Sequence, residues 1–311
     1  MKKEVGVFAP ASVSNVACGF DVMGFAIDNP GDEVILRVSD KPGVRISCIT
    51  GDDGRLPMNP AENTAGAPVI AVMNYLKTDC GVEIEIHKNM PLGSGLGSSA
   101  ASAVAAAVAA DRLFEANLSK DLLLEFALAG EQIASGAIHA DNVAPSLYGG
   151  FVLIRGYDPI DIIEIPVPDN LYCTVLHPDT EINTKESRRL LPTQVPLESA
   201  KTHWGNTAGL IAGLMKSDFA LIARSLKDVI VEPVRSGFIP SYKEIKAAAL
   251  AAGALGCNIS GSGPSIFALS DSQQKALAVG AKMMEALDPG LTAQLYVSPV
   301  KAKGPVVLFE S

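Results

Sequence analysis

The stretch Pro91-Leu92-Gly93-Ser94-Gly95-Leu96-Gly97-Ser98-Ser99-Ala100-Ala101 decides how this chain is read. An alternating run, Val82 to His87, precedes it and has the period of a strand. It leads into the alanine-rich run Ala100 to Ala110, a strong helix former. The order is therefore strand, glycine loop, helix. Three glycines within five residues remove Cβ atoms where backbone must approach something closely. Ser98 and Ser99 are placed to cap the helix. The free N–H groups of a first helical turn, with the positive end of the helix dipole, make an anion site, and the anion is read as a nucleotide phosphate. The plain alternative is a glycine turn before a buried helix.

Two common nucleotide signatures fail here. The P-loop requires Lys after its last glycine, where this chain has Ser98. The dinucleotide pattern, counted from Gly93 and Gly95, requires a third glycine, again at Ser98, and no acid ends a following strand. Pro91 to Ala101 instead resembles, without a gap, the phosphate-binding motif Pro-x-x-x-Gly-Leu-Gly-Ser-Ser-Ala of the GHMP kinase family. The resemblance implies an α+β, two-domain fold. Its N-terminal mixed α/β domain, residues 1–165, binds ATP and contains a left-handed β-α-β phosphate-loop unit. Its C-terminal domain, residues 166–311, is ferredoxin-like α+β.

Composition agrees with an enzyme of that kind. The 311 residues suffice for two domains, and the net charge of −9 argues against non-specific binding to nucleic acid or an anionic membrane. Any basic site for ATP must then be built locally. The five scattered cysteines contain no Cys-x-x-Cys pair, which fits a reduced cytoplasm and excludes a disulfide framework. Met1-Lys2-Lys3-Glu4 is a poor signal peptide, and no run reaches the roughly 18 apolar residues of a membrane span.

The periodicities predict strands at 4–9, 22–27, 32–38 and 44–49, with Asn29-Pro30-Gly31 as a turn between the second and third. Helices are expected at 63–77, 119–135, 197–227, 241–252 and 272–287, and a proline-rich crossing at 159–170.

The motifs outside the glycine loop extend the resemblance. Ala9-Pro10-Ala11-Ser12-x-x-Asn15-x-x-x-Gly19-Phe20-Asp21 is similar to the N-terminal signature of the branch that phosphorylates homoserine, with Val16-Ala17-Cys18 as a different filler. In that branch the Asn and Asp hold the amino-alcohol end of the substrate, which makes Asn15 and Asp21 substrate candidates. An ionised Asp can accept from an ammonium, and an Asn amide can bond a hydroxyl. In the family the helix start flanks the adenine, which makes Asn63 and Thr64 candidates there, and Lys88 could counter phosphate charge; a helix cap and a surface lysine are the alternatives. Glu131 matches the helix carboxylate that binds Mg²⁺, with Ser99 as the other metal ligand. The run Gly136 to Gly150 also follows the family and contains His139 and Asn142. Asn142 stands where mevalonate-kinase-like relatives hold an Asp proposed as the base. The homoserine branch shares that Asn.

Thr184, Arg188 and Arg235 lie in segments resembling those that contact a substrate carboxylate, and two arginines can clamp one carboxylate with bidentate bonds. Gly261 and Ser262 belong to a second glycine loop resembling the third family motif, which folds back towards the phosphate loop.

Together these motifs imply phosphoryl transfer from ATP to the hydroxyl of L-homoserine with Mg²⁺. Ser99, Glu131 and Asn142 take the catalytic places, and no side chain acts as base. A homodimer is left open by the resemblance. The alternatives are a family kinase for a mevalonate- or shikimate-type alcohol, a non-catalytic nucleotide sensor, and a dinucleotide-dependent oxidoreductase.

Overall fold

Helix α2 (Ser98–Phe114) can lie close to everything around it because its side chains are small, and every alanine from Ala100 to Ala110 is fully buried. It packs on strands β1 (Glu4–Ser14) and β2 (Met23–Ser39) and against helices α1 (Gly66–Leu76), α3 (Lys120–Ser135) and α4 (Ala140–Tyr148). The computed structural model describes residues 1–136, 138–182 and 184–311, with backbone alone at 134, 135, 184 and 185.

The remaining elements of the first half are β3 (Gly43–Thr50), β4 (Gly81–His87), β5 (Phe151–Tyr157) and β6 (Ile160–Ile165). The second half runs β7 (Tyr172–Pro178), α5 (Thr184–Arg189), α6 (Leu197–Lys216), α7 (Phe219–Ser225), α8 (Glu232–Arg235), α9 (Tyr242–Ala251), β8 (Gly256–Ile259), β9 (Ile266–Ser270), α10 (Gln273–Glu285), β10 (Ala293–Pro299) and β11 (Val306–Glu310).

Among the described residues a seven-stranded sheet has the order β11-β1-β2-β4-β3, with β5 also on β2 and β6 on β5. β3 and β4 pair in parallel and are joined through α1, and the glycine loop leaves β4 at the end of this β-α-β unit. The second sheet, β10-β7-β9-β8, is antiparallel throughout; its order and its helix connections are those of a ferredoxin-like layer. The final strand does not stay with that layer: β11 returns to pair with β1. The sheets meet where Phe25 stacks on Phe151 at 5.9 Å and takes the edge of Phe267 at 6.0 Å.

Some local expectations are corrected. Residues 22–38 do not form two strands about a turn. β2 is continuous, and Asn29-Pro30-Gly31 is absorbed in a bulge where β1 advances from Pro10 to Ser12 while β2 advances from Gly31 to Ala26. The helix expected over 197–227 is two helices, because Ser217 ends α6 at φ 54° and the Asp218 side chain caps α7. The crossing at 159–170 contains β6. Ser98 and Ser99 do not cap α2; the cap position is Gly97, left-handed at φ 70°, with no side-chain bond.

Candidate active site

The start of α2 opens onto a cavity of about 410 Å³ between the two halves. With Gly97 at the cap, no side chain of the loop occupies the first-turn N–H groups, so they stay available to an anion. The second half holds the loop in place through main-chain oxygens. Ser260 Oγ donates to Gly95 O at 2.7 Å and Ser265 Oγ to Ser94 O at 2.7 Å. Gly261 N donates to Ser14 O at 3.2 Å. The second glycine loop thus folds against the first.

Residues 32 positions apart in the chain meet at the mouth of α2: Ser99 Oγ donates to Glu131 Oε2 at 2.7 Å, and His139 Nδ1 lies 3.1 Å from Glu131 Oε1. That bond to Glu131 raises the His139 pKa above its usual value, against the effect of burial. Ser12 Oγ donates to Asn142 Oδ1 at 3.0 Å, which fixes which end of the Asn142 amide carries its N–H groups.

Two arginines also line the cavity. Arg188 forms a bidentate ion pair with Asp21, and its Nη1 is 3.2 Å from Asp21 Oδ1. Buried Arg235 donates to Gly261 O at 3.0 Å. Both guanidinium groups lie over the Phe20 ring, at 5.5 and 5.4 Å from its centre. Phe20 had no assigned role in the sequence, although it sits inside the quoted Gly-Phe-Asp motif.

Other candidates are placed differently. Asn15 lines the cavity, but its amide is committed to Gly261 O at 2.7 Å and to the Asp21 N–H at 3.0 Å. Asn63 is not brought to the cavity; it bonds Pro57 O and the Ala65 N–H, while Thr64 lines the wall. Lys88 is bonded to Asp32. Leu96, Ala100 and Ala101 are fully buried supports. Gly261 and Ser262 line the cavity. The Thr184 side chain lies outside the described residues, as do Ala137 and Asn183.

Asp141, beside Asn142, is buried, and among the described residues its Oδ1 has no hydrogen-bond partner. Burial and the charge of Asp21 push its carboxyl from the ordinary 3.8 up to about 7. A folded-state pKa raised above the unfolded one means that the unfolded chain loses its proton first. Stability is therefore lost as pH rises from about 4 to about 7. Asp141→Asn should melt progressively higher than wild type as pH is raised from 5 to 8. Parallel melting curves at both pH values would remove this account.

The comparisons with known proteins agree with this geometry. The GHMP kinases N terminal domain matches residues 64–150, and the GHMP kinases C terminal domain matches residues 210–288. The chain belongs to the GHMP kinase family. Among GHMP kinases, a homoserine kinase of Chlorobium phaeobacteroides is 50% identical over 98% of this chain and 100% of its own length. One from Arabidopsis thaliana is 45% identical over 91% of this chain and 78% of its own. The crystal structure of homoserine kinase from Cytophaga hutchinsonii superposes with a TM-score of 0.97 at 55% identity, covering 99% and 98% of the two chains. As a kinase of this family the chain uses ATP.

Proposed function

We propose that this chain is an ATP:L-homoserine O-phosphotransferase, making ADP and O-phospho-L-homoserine, a step towards threonine. The curated relative at 50% identity and the solved structure at 55% identity, both matched over nearly their full length, are homoserine kinases. The observation that carries the reading within the site is the Arg188–Asp21 pair beside Arg235. A zwitterion can exchange into such a pair, its ammonium taking Asp21 and its carboxylate taking the arginines, so that no charge is left alone. A carboxylate-bearing alcohol without an amine would strand Asp21, which disfavours a mevalonate- or shikimate-type substrate.

In this reading the triphosphate lies on the open first turn of α2, and the substrate hydroxyl is held near Asn142 for in-line attack. Asn142 cannot accept a proton, and Asp141 Oδ1 is fully enclosed. The hydroxyl proton passes to a γ-phosphate oxygen as the new O–P bond forms and the β–γ bridge breaks. Asn15 acts by fixing Asp21 and Gly261. The donors at Ser99 and Glu131, a hydroxyl and a carboxylate, suit Mg²⁺, a hard cation that keeps few protein ligands and shares phosphate oxygens. When bound there it would neutralise phosphate charge. We place the domain division at 165/166, with β11 as a returning strand.

The test is a coupled ADP-release assay with L-homoserine, mevalonate and shikimate. Homoserine should exceed the other two in kcat/KM by about 10³-fold or more, since a site built for a polar group rejects analogues lacking it. Arg235→Leu should raise the homoserine KM about 10- to 100-fold with a smaller effect on kcat. An unchanged KM rejects the carboxylate role of Arg235, and turnover of mevalonate or shikimate in preference to homoserine rejects the substrate.

A further inference from the structure

Lys88 borders the cavity, yet its ammonium has nothing left to offer a phosphate. A lysine has three N–H donors. Here they go to Asp32 Oδ2, to the Ser98 carbonyl at 2.9 Å and to Ser102 Oγ at 2.7 Å. Asp32 is equally occupied. Its Oδ1 accepts from the Asn89 N–H at 3.0 Å, and its Oδ2 accepts from Ser98 Oγ at 3.0 Å and Ser102 Oγ at 2.9 Å. The two side chains are 2% and 0% exposed, so the cluster is dry as well as complete.

The arrangement bears on the anion site in two ways. The Ser98 hydroxyl, which could have capped α2, is drawn back to Asp32, and the first-turn N–H groups are left open. A buried carboxylate behind a helix N-terminus would also compete with an incoming phosphate for the positive end of the dipole. Lys88 cancels that charge at its source.

We propose that Asp32 and Lys88 form a charge-neutral anchor behind the phosphate loop: Asp32 holds the Ser98 and Ser102 hydroxyls off the anion site, and Lys88 serves the nucleotide by neutralising Asp32, without touching phosphate. The proposal rests on ATP being held at α2. Both are positioning residues, and their roles separate in a double variant.

The measurement is calorimetric titration of MgATP, with the KM for homoserine as the second readout. Lys88→Met should weaken MgATP about tenfold, the order expected when a buried negative charge is set against a helix N-terminus, and should leave the homoserine KM unchanged. The Asp32→Asn, Lys88→Met double variant leaves no charge in this cluster and should bind MgATP within about threefold of wild type. If Lys88 touched phosphate, the double variant would be as weak as the single one. That result overturns the proposal, as does an equal loss for both substrates. Should Lys88→Met fail to fold, the double variant against wild type decides alone, a loss beyond threefold counting against the anchor. A wild-type chain that did not bind MgATP would overturn the kinase reading itself, whereas a binding wild type with a weakened double variant overturns only this inference.

Discussion

Gly95→Ala is expected to lower kcat/KM on the order of 10²- to 10³-fold and to melt well below wild type. Gly95 has φ +76°, where an L side chain costs about 1–2 kcal/mol before any contact is made. A Cβ there would stand 2.5 Å from Ser260 O and 2.8 Å from Gly263 O. Both are main-chain atoms of the loop that holds the phosphate loop, so no flexible side chain can turn aside. Either the two loops separate or the start of α2 shifts, and a shift of 1 Å is enough to misdirect the first-turn N–H groups.

Gly93→Ala is the internal comparison. Its Cβ would meet Glu181 Cγ at 2.4 Å, but Glu181 is an exposed side chain whose far end pairs with Arg55, and it can swing away. Its effect should stay within about tenfold, since what remains is chiefly the cost of a left-handed backbone. Binding of MgATP, kcat/KM and melting temperature would be measured for both. Equal losses would show that the main-chain contact with Ser260 and Gly263 is not what makes Gly95 irreplaceable.

That contact also marks the limit of what sequence reading reached. The strand–loop–helix order around Gly95 was legible from its own chemistry, whereas Glu131 and the two arginines stood out only through the family resemblance of the segments that carry them. The partners were not legible. Asp32 read as one polar residue of an ordinary strand, and nothing near it in sequence announces that Lys88, 56 residues later, ends on its carboxylate. Lys88 accordingly reads either as a counter to phosphate charge or as a surface lysine. Ser98 looked like a cap because caps are judged from the following residues, whereas its hydroxyl is claimed from 66 residues away. Phe20 gains a place in the site only because Arg188 and Arg235, far apart in the chain, lie on its one ring. Periodicity also failed at 217–218, where two polar residues stop a helix that the apolar pattern would have continued. Local propensity reports the elements; the charge pairing of the site is decided by strand register and by helix packing across the sheet.

Glu131→Gln should reduce kcat by about 10³-fold, close to 4 kcal/mol of transition-state stabilisation, while changing the homoserine KM little. The substitution keeps the shape of a side chain that is 4% exposed and retains an oxygen for the Ser99 hydroxyl, so the wall of the cavity should stand. What it removes is a negative charge where we place Mg²⁺, and phosphoryl transfer depends on charge neutralisation more than on covalent help from the protein. A second readout separates charge from packing. His139 is held above its usual pKa first by its bond to Glu131, and burial opposes that effect. With a neutral partner, burial prevails, and the His139 ring should titrate at lower pH in an NMR titration. A lowered His139 pKa with kcat intact would show that the carboxylate is ionised and next to the imidazole as described, yet is not required for transfer; Ser99 and Glu131 would then be structural, and the metal would have to be carried by the phosphates alone.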